Sequence, residues 1–212
     1  LNNFSYLYQV YQAADDKVTC RSTVPILWDK KTSTIVNNES SEIIRIFNSA
    51  FNELTGNDAD YYPDSKRKDI DKLNDYIYHH INNGVYRCGF AKTQQAYEKA
   101  FEDLFTALNE VEGLLAQTPY LTGDEPNEAD WRLLPTLLRF DLVYYFHFKC
   151  NLKPIATYPN LSKYVETLMD KYNLASTVNF DHIKRHYYYS HEHINPYRIV
   201  PVGPKNWIGK IE

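Results

Sequence analysis

Glu39 and Ser40 stand where a helix is predicted to begin, and Val24 stands before Pro25 at the start of a predicted strand. A carboxylate at such a place can hold an ammonium group, and a hydroxyl with free helix N–H groups can hold a carboxylate. Exposed backbone beside Val24 can pair with an extended peptide. Pro25 suits either a sheet edge or a cis bond. An α-amino-acid end carries an ammonium and a carboxylate together, so the set fits such a ligand. The same residues also fit an ordinary hairpin followed by an ordinary helix cap.

Other candidate groups are thiols, imidazoles and phenols. The three cysteines, Cys20, Cys88 and Cys150, are odd in number and widely spaced, which argues for a reducing compartment and against a disulfide framework. Arg21 beside Cys20 would steady a thiolate in an exposed loop, whereas Cys88 after a helix end and Cys150 closing another read as ordinary thiols. His186, His191 and His193, with Glu192, have a spacing that can ligate zinc. They lack a paired cysteine or an HExxH pattern, and no metal site is expected. His79 and His80 read as a helix surface with one inward ring. The 19 tyrosines outnumber 10 phenylalanines. A pocket for aromatic or phenolic ligands would use them; a genome that enriches Tyr, Asn, Lys and Ile would produce them as well.

The elements that must position these groups are mostly helical. Phe4 to Ala13 predicts a short amphipathic helix. Val24 to Trp28 and Thr34 to Val36 predict a hairpin across the turn Lys30 to Ser33. Ser40 is expected to cap a helix carrying Ile43, Ile44, Phe47, Ala50 and Phe51. The loop Thr55 to Ser65 is the expected boundary between a piece at 1–54 and a domain at 66–212. Beyond it, Ile70, Leu73, Ile77 and Ile81 give a helix ending at Asn83-Gly84, and Ala96 to Leu115 a longer one. Further helices are expected at Leu161 to Tyr172 and Thr177 to Tyr189. The tail INPYRIVPVGPKNW is expected to be extended and ordered if its apolar residues pack.

The chain is organised around Leu121 to Cys150. Asn127 and Asp130 form a capping box, and from Trp131 the helix is apolar on most sides, which marks a buried element. Pro135 should bend it. Arg132, Thr136 and Arg139 share a narrow polar stripe aimed at something outside the helix.

Composition sets limits. A formal charge of −4 gives no basic footprint for nucleic acid. No apolar run approaches the ~18 residues that span a bilayer. No signal peptide is visible, and Leu1 is an unusual first residue, so the natural N-terminus reads as absent.

Four stretches, TVPILWDKKTSTIVNNESSEIIR, NNGVYRCGFAKTQQAY, NEADWRLLPTLLRFDLVYYFHFKCN and HYYYSHEHINPYRIVPVGP, resemble the glutathionyl-hydroquinone reductases, the xi-class, omega-like branch of the glutathione transferases. The resemblance covers nearly the whole chain. It implies an α+β, mostly α fold: a partial thioredoxin-like piece with a β-hairpin, then an all-helical glutathione-transferase domain with an extended tail. It implies a cytoplasmic homodimer that uses glutathione to reduce glutathionyl-hydroquinones, with neither nucleic acid nor membrane as partner. Val24 resembles the backbone clamp on glutathione's cysteinyl part, and Glu39 and Ser40 the binders of its γ-glutamyl end. Tyr86, Tyr144 and Tyr187 resemble the quinol-site residues, with Tyr145 and Tyr188 as near alternatives. The family's nucleophile is a cysteine followed by proline, and this sequence has no such pair. The nucleophile is therefore expected upstream of this chain, leaving no catalytic residue within it. The competing expectation is a non-catalytic dimerisation or interaction scaffold of transferase shape.

Overall fold

The computed structural model describes residues 2–205 and divides into two compact units, 1–62 and 63–212. Each unit is described by itself.

In the first unit, α1 (Leu7–Ala14) is followed by a hairpin of β1 (Leu27–Asp29) and β2 (Thr34–Asn37). The strands are antiparallel, with a register shift between Leu27 and Trp28. The Asp29 carboxylate accepts the N–H groups of Lys31 at 2.7 Å and Thr32 at 3.2 Å, which closes the turn. α2 (Ser40–Ser49) and the single turn α3 (Asn52–Thr55) complete the unit. Three expectations are corrected here. α1 starts at Leu7 rather than Phe4, because the Gln9 side chain takes the N–H groups of Ser5 and Tyr6 and holds them outside the helix. β1 starts at Leu27, so Val24 to Ile26 lie before it. The cap of α2 is Glu39, whose carboxylate accepts the Ser41 N–H at 3.1 Å, and Ser40 is the first helical residue.

Among its described residues the second unit is built of helices: α4 (Arg67–Ile77), α5 (Gly84–Gly89), α6 (Gln94–Leu115), α7 (Glu128–Arg139), α8 (Tyr145–His147), α9 (Pro159–Lys171) and α10 (Phe180–Ser190). Ile70, Ile77, Ile81, Leu104, Leu108, Leu133, Leu137 and Leu142 are fully buried at its centre. The mostly α architecture with one small hairpin among the described residues is the fold class that the predicted elements and the family resemblance imply. Among the described residues, no helix is long and apolar enough to cross a membrane.

Two π-helical turns break the expected regularity. α4 does not end at Asn83-Gly84: it passes through a π turn, Tyr78–Asn82, into α5, and Cys88 lies inside α5 rather than after a helix end. Asn82 then points across to α7, donating to the Arg132 carbonyl at 3.2 Å and accepting from Thr136 at 2.8 Å. The buried helix is likewise split by a π turn, Phe140–Tyr144. Its Asp141 carboxylate accepts the N–H groups of Ile155 at 2.6 Å and Ala156 at 3.0 Å. An extra residue per turn re-phases everything that follows, and such turns often serve to place a particular side chain. Here the residue delivered is Tyr144.

α10 ends in the tail. Its Lys184 donates to the carbonyls of Val202 at 2.9 Å and Pro204 at 3.3 Å. The tail's order is expected to depend on packing of its apolar residues, and that packing is partial: Ile194 and Val200 are half-buried, Tyr197, Ile199 and Val202 are exposed, and the Lys184 and Asn195 side chains hold the segment through its carbonyls. The last two residues of the predicted tail, Asn206 and Trp207, lie outside the described residues.

Candidate functional site

In the first unit, Val24 lies in the exposed segment before β1, and the Val24–Pro25 bond is cis. Glu39 is positioned by its own N–H, which donates to Asn37 Oδ1 at 2.7 Å. Its Oε1 accepts the Ser40 hydroxyl at 3.3 Å and the Ser41 hydroxyl at 3.1 Å. A carboxylate and two hydroxyls are thus gathered at the exposed N-terminus of α2. The sequence reading missed Tyr11. Its hydroxyl donates to the Thr23 carbonyl at 2.8 Å and accepts from Thr23 N–H at 3.3 Å and Asn38 Nδ2 at 3.2 Å. One buried phenol therefore ties the residue before Val24 to the residue before Glu39.

In the second unit, Tyr86 on α5, Tyr144 on the π turn and Tyr187 on α10 bring their hydroxyls together. Tyr187 lies 2.6 Å from the Tyr86 hydroxyl and 2.8 Å from that of Tyr144. Tyr188 instead donates to the Leu142 carbonyl at 3.4 Å, and Tyr145 is half-buried outside this cluster. Burial pushes the Tyr144 and Tyr187 phenols well up; Tyr187 and Tyr86 add to the rise of Tyr144, Tyr86 adds to that of Tyr187 while its bond with Tyr144 opposes it, and Arg139 opposes both. Both are therefore protonated at neutral pH. Three hydroxyl protons serve two O···O contacts, so one O–H remains to point at a ligand.

Aromatic rings fix this cluster. Phe148 stacks on Tyr144 with centroids 5.4 Å apart and meets Tyr187 edge-on at 5.9 Å. Beyond Phe148 lies His191, 5.7 Å from the Tyr187 ring, with its Nδ1 3.1 Å from Nε2 of His147. Neither histidine was singled out for this position from the sequence. Gly89 is what allows Phe148 its place: a Cβ there would sit 2.3 Å from two atoms of the Phe148 ring. Gly89→Ala is expected to destabilise the fold by about 2 kcal/mol through overpacking, lowering the melting temperature by about 5 °C. A thermal scan checks this, and an unchanged midpoint would show that the ring yields freely.

The remaining candidates separate clearly. Cys88 and Cys150 are buried, while Cys20 is exposed on the loop before the hairpin. Burial, and then the neighbouring Cys88, push the Cys150 thiol far up, so it stays protonated. The polar stripe of α7 is spent within the unit: Arg132 lies 3.5 Å from Glu128, Thr136 bonds Asn82, and Arg139 donates to the Pro135 carbonyl at 2.8 Å. Val24, Glu39 and Ser40 belong to the first unit, and the three tyrosines to the second.

Comparison with known proteins places this arrangement. The family model of the glutathione S-transferase C-terminal domain matches residues 94–167. The chain is 55% identical to the glutathionyl-hydroquinone reductase PcpF of Sphingobium chlorophenolicum, over 96% of this chain and 65% of that protein. The chain thus spans less than two thirds of that curated relative. It superimposes on the glutathione-bound structure of YqjG, a glutathione transferase homologue from Escherichia coli K-12, with a TM-score of 0.91 at 50% identity. That match covers 94% of this chain and 65% of that one. The structure of glutathione-S-transferase Xi from Phanerochaete chrysosporium matches with a TM-score of 0.93 at 50% identity, over 98% of this chain and 72% of that chain. The hairpin-bearing first unit and the helical second unit are the thioredoxin-type and C-terminal parts of that fold. With half of its residues identical across almost its whole length, the chain belongs to the xi-class glutathione transferases, the family of the glutathionyl-hydroquinone reductases.

Proposed function

We propose that the protein is a glutathionyl-hydroquinone reductase, a glutathione-dependent thiol transferase that takes glutathione off a hydroquinone ring. The observation that carries this reading is the meeting of three phenols within a wall of aromatic rings. A hydroquinone is a flat diol, able to stack on such rings and hydrogen-bond through its two hydroxyls. Glutathione is the co-substrate, its γ-glutamyl end at Glu39 and Ser40 and its cysteinyl backbone at Val24. The name of PcpF and the glutathione bound in YqjG support the assignment.

A thiolate attacks the sulfur of the conjugate, forming an enzyme–glutathione disulfide as the ring carbon–sulfur bond breaks. The electron pair of that bond stays with the ring carbon, which takes up a proton. The spare phenolic O–H of the tyrosine cluster is suited to supply it. A second glutathione thiolate then attacks the disulfide, releasing glutathione disulfide and the enzyme thiolate. In this reading the attacking thiolate comes from outside these 212 residues. Two of the three cysteines are buried, and Cys20 sits on an exposed loop. The chain alone would then bind without turnover. A cytoplasmic homodimer belongs to the same reading and rests on the family resemblance.

The test is an assay of the full-length protein with a glutathionyl-hydroquinone and glutathione, following hydroquinone release. Glutathione binding without release of hydroquinone would overturn the reading. Glu39→Ala removes a charge-assisted contact and is expected to weaken glutathione binding about tenfold or more by calorimetry. Unchanged affinity would take Glu39 out of the site.

A further inference from the structure

His147 and His191 are not needed by the chemistry above, yet they are built into the wall behind it. His147 follows Tyr144 by three residues and is only 3% exposed. His191 is the first residue after α10, four residues beyond Tyr187. Their rings lie nearly parallel, with centroids 5.3 Å apart and a single N···N contact of 3.1 Å at the edge. Phe90 closes the far side of His191 edge-on at 5.1 Å, and Tyr188 lies 4.6 Å from His147. Together with the Tyr187–Tyr144 and Tyr188–Leu142 bonds, this contact joins the segment that carries Tyr144 to the end of the helix that carries Tyr187.

We propose that His147 and His191 are positioning residues, whose hydrogen bond fixes the end of α10, and with it Tyr187, against Tyr144 while at most one of the two rings is protonated. The inference rests on the reading of Tyr86, Tyr144 and Tyr187 as the quinol site. One proton can be shared across the N···N gap in either tautomer. A second sets N–H against N–H and breaks the contact. The charged and titratable groups around the pair are Lys149 beyond α8, His186, Tyr187 and Tyr188 on α10, and His193 in the tail. Phe90, at the end of α5, adds no charge. Burial first, then His191, Lys149 and His193, hold His147 down to about 4. Burial and then His193 and His186 lower His191 as well. Both rings are neutral at physiological pH, and acid opens the clamp.

The experiment uses the full-length protein and two variants. His191→Phe keeps a ring against Phe90 and His147 but removes the bond; His191→Gln restores a donor and an acceptor. By NMR, the Tyr187 ring resonances should move in step with the imidazole titrations of His147 and His191. In His191→Phe they should be displaced already at pH 7.5 and insensitive to acid. In kinetics, His191→Phe is expected to lower kcat about tenfold with KM for glutathione unchanged, and His191→Gln to recover most of the loss. Tyr187 resonances that ignore both the titration and the replacement overturn the proposal, whether or not the protein turns over a hydroquinone. Equal kcat in all three proteins overturns it too. Hydroquinone turnover that is absent from a protein whose Tyr187 signals do follow the histidines would instead count against the function assigned to the site. A His191→Phe protein that fails to fold leaves the Gln variant and the wild-type titration to decide.

Discussion

Tyr187→Phe in the full-length protein is expected to lower kcat/KM for a glutathionyl-hydroquinone by about a hundredfold while leaving glutathione affinity intact. The Tyr187 hydroxyl is the only one of the three in contact with both others, at 2.6 Å and 2.8 Å. Without it, Tyr86 and Tyr144, whose ring planes are tilted 57° to each other with centroids 6.0 Å apart, lose the hydroxyl they share. No relay then connects the buried Tyr144 proton to the half-buried Tyr86. The ring itself remains, packed on Phe148, Tyr144 and His191, so the loss falls on proton delivery rather than on folding. Steady-state kinetics with the conjugate, paired with calorimetry for glutathione, separates the two. A variant within threefold of wild type would mean that the cluster is packing alone. Tyr144→Phe should cost less, because Tyr187 and Tyr86 stay bonded. This ordering distinguishes a relay through Tyr187 from three independent contacts.

How much of this was legible in the sequence depends on the distance over which each interaction acts. The helices could be read because apolar residues recur at their own period, and the Asn127–Asp130 capping box because all its partners lie within four residues. The hairpin was legible for the same local reason, although its first strand begins three residues late. The two π turns were invisible, since a π turn adds a residue to a pattern that still looks helical on either side. The second of them ends at Tyr144, which meets Tyr187, and Tyr145 follows it outside the cluster. Tyr11 was missed because its partners lie 12 and 27 residues away. The His147–His191 bond spans 44 residues. The polar stripe on α7 was seen but its target was not, because Asn82 reaches Thr136 only after the π turn has swung it round. Residues at the candidate site are thus legible by chemical type, and their mutual geometry is set by long-range bonds that no local pattern records.

The largest effect on folding is expected not at the site but at Asp130. This carboxylate is fully buried at the start of α7 and accepts three hydrogen bonds. Oδ1 takes Leu121 N–H at 3.0 Å and the Tyr164 hydroxyl at 2.8 Å, and Oδ2 takes Asn127 N–H at 2.9 Å. It therefore joins the loop before α7, the cap of α7 and the middle of α9. Burial raises its pKa, and the donors from Leu121, Asn127 and Tyr164 pull against that rise. Asp130→Ala leaves two buried N–H groups and a buried phenol without partners. At about 1–2 kcal/mol each this amounts to a loss of about 3–6 kcal/mol. Asp130→Asn should cost about 2 kcal/mol, because one oxygen becomes an NH2 group facing a donor. Tyr164→Phe, which removes one bond of the three, should cost about 1 kcal/mol. Urea titration of the three variants measures this, with the midpoint falling in that order and the slope unchanged. Equal losses for Asp130→Ala and Tyr164→Phe would mean that the carboxylate's role is the link to α9 alone. The predicted order would place the main burden on the two backbone N–H groups, and so on the entry of the chain into the helix that carries the site.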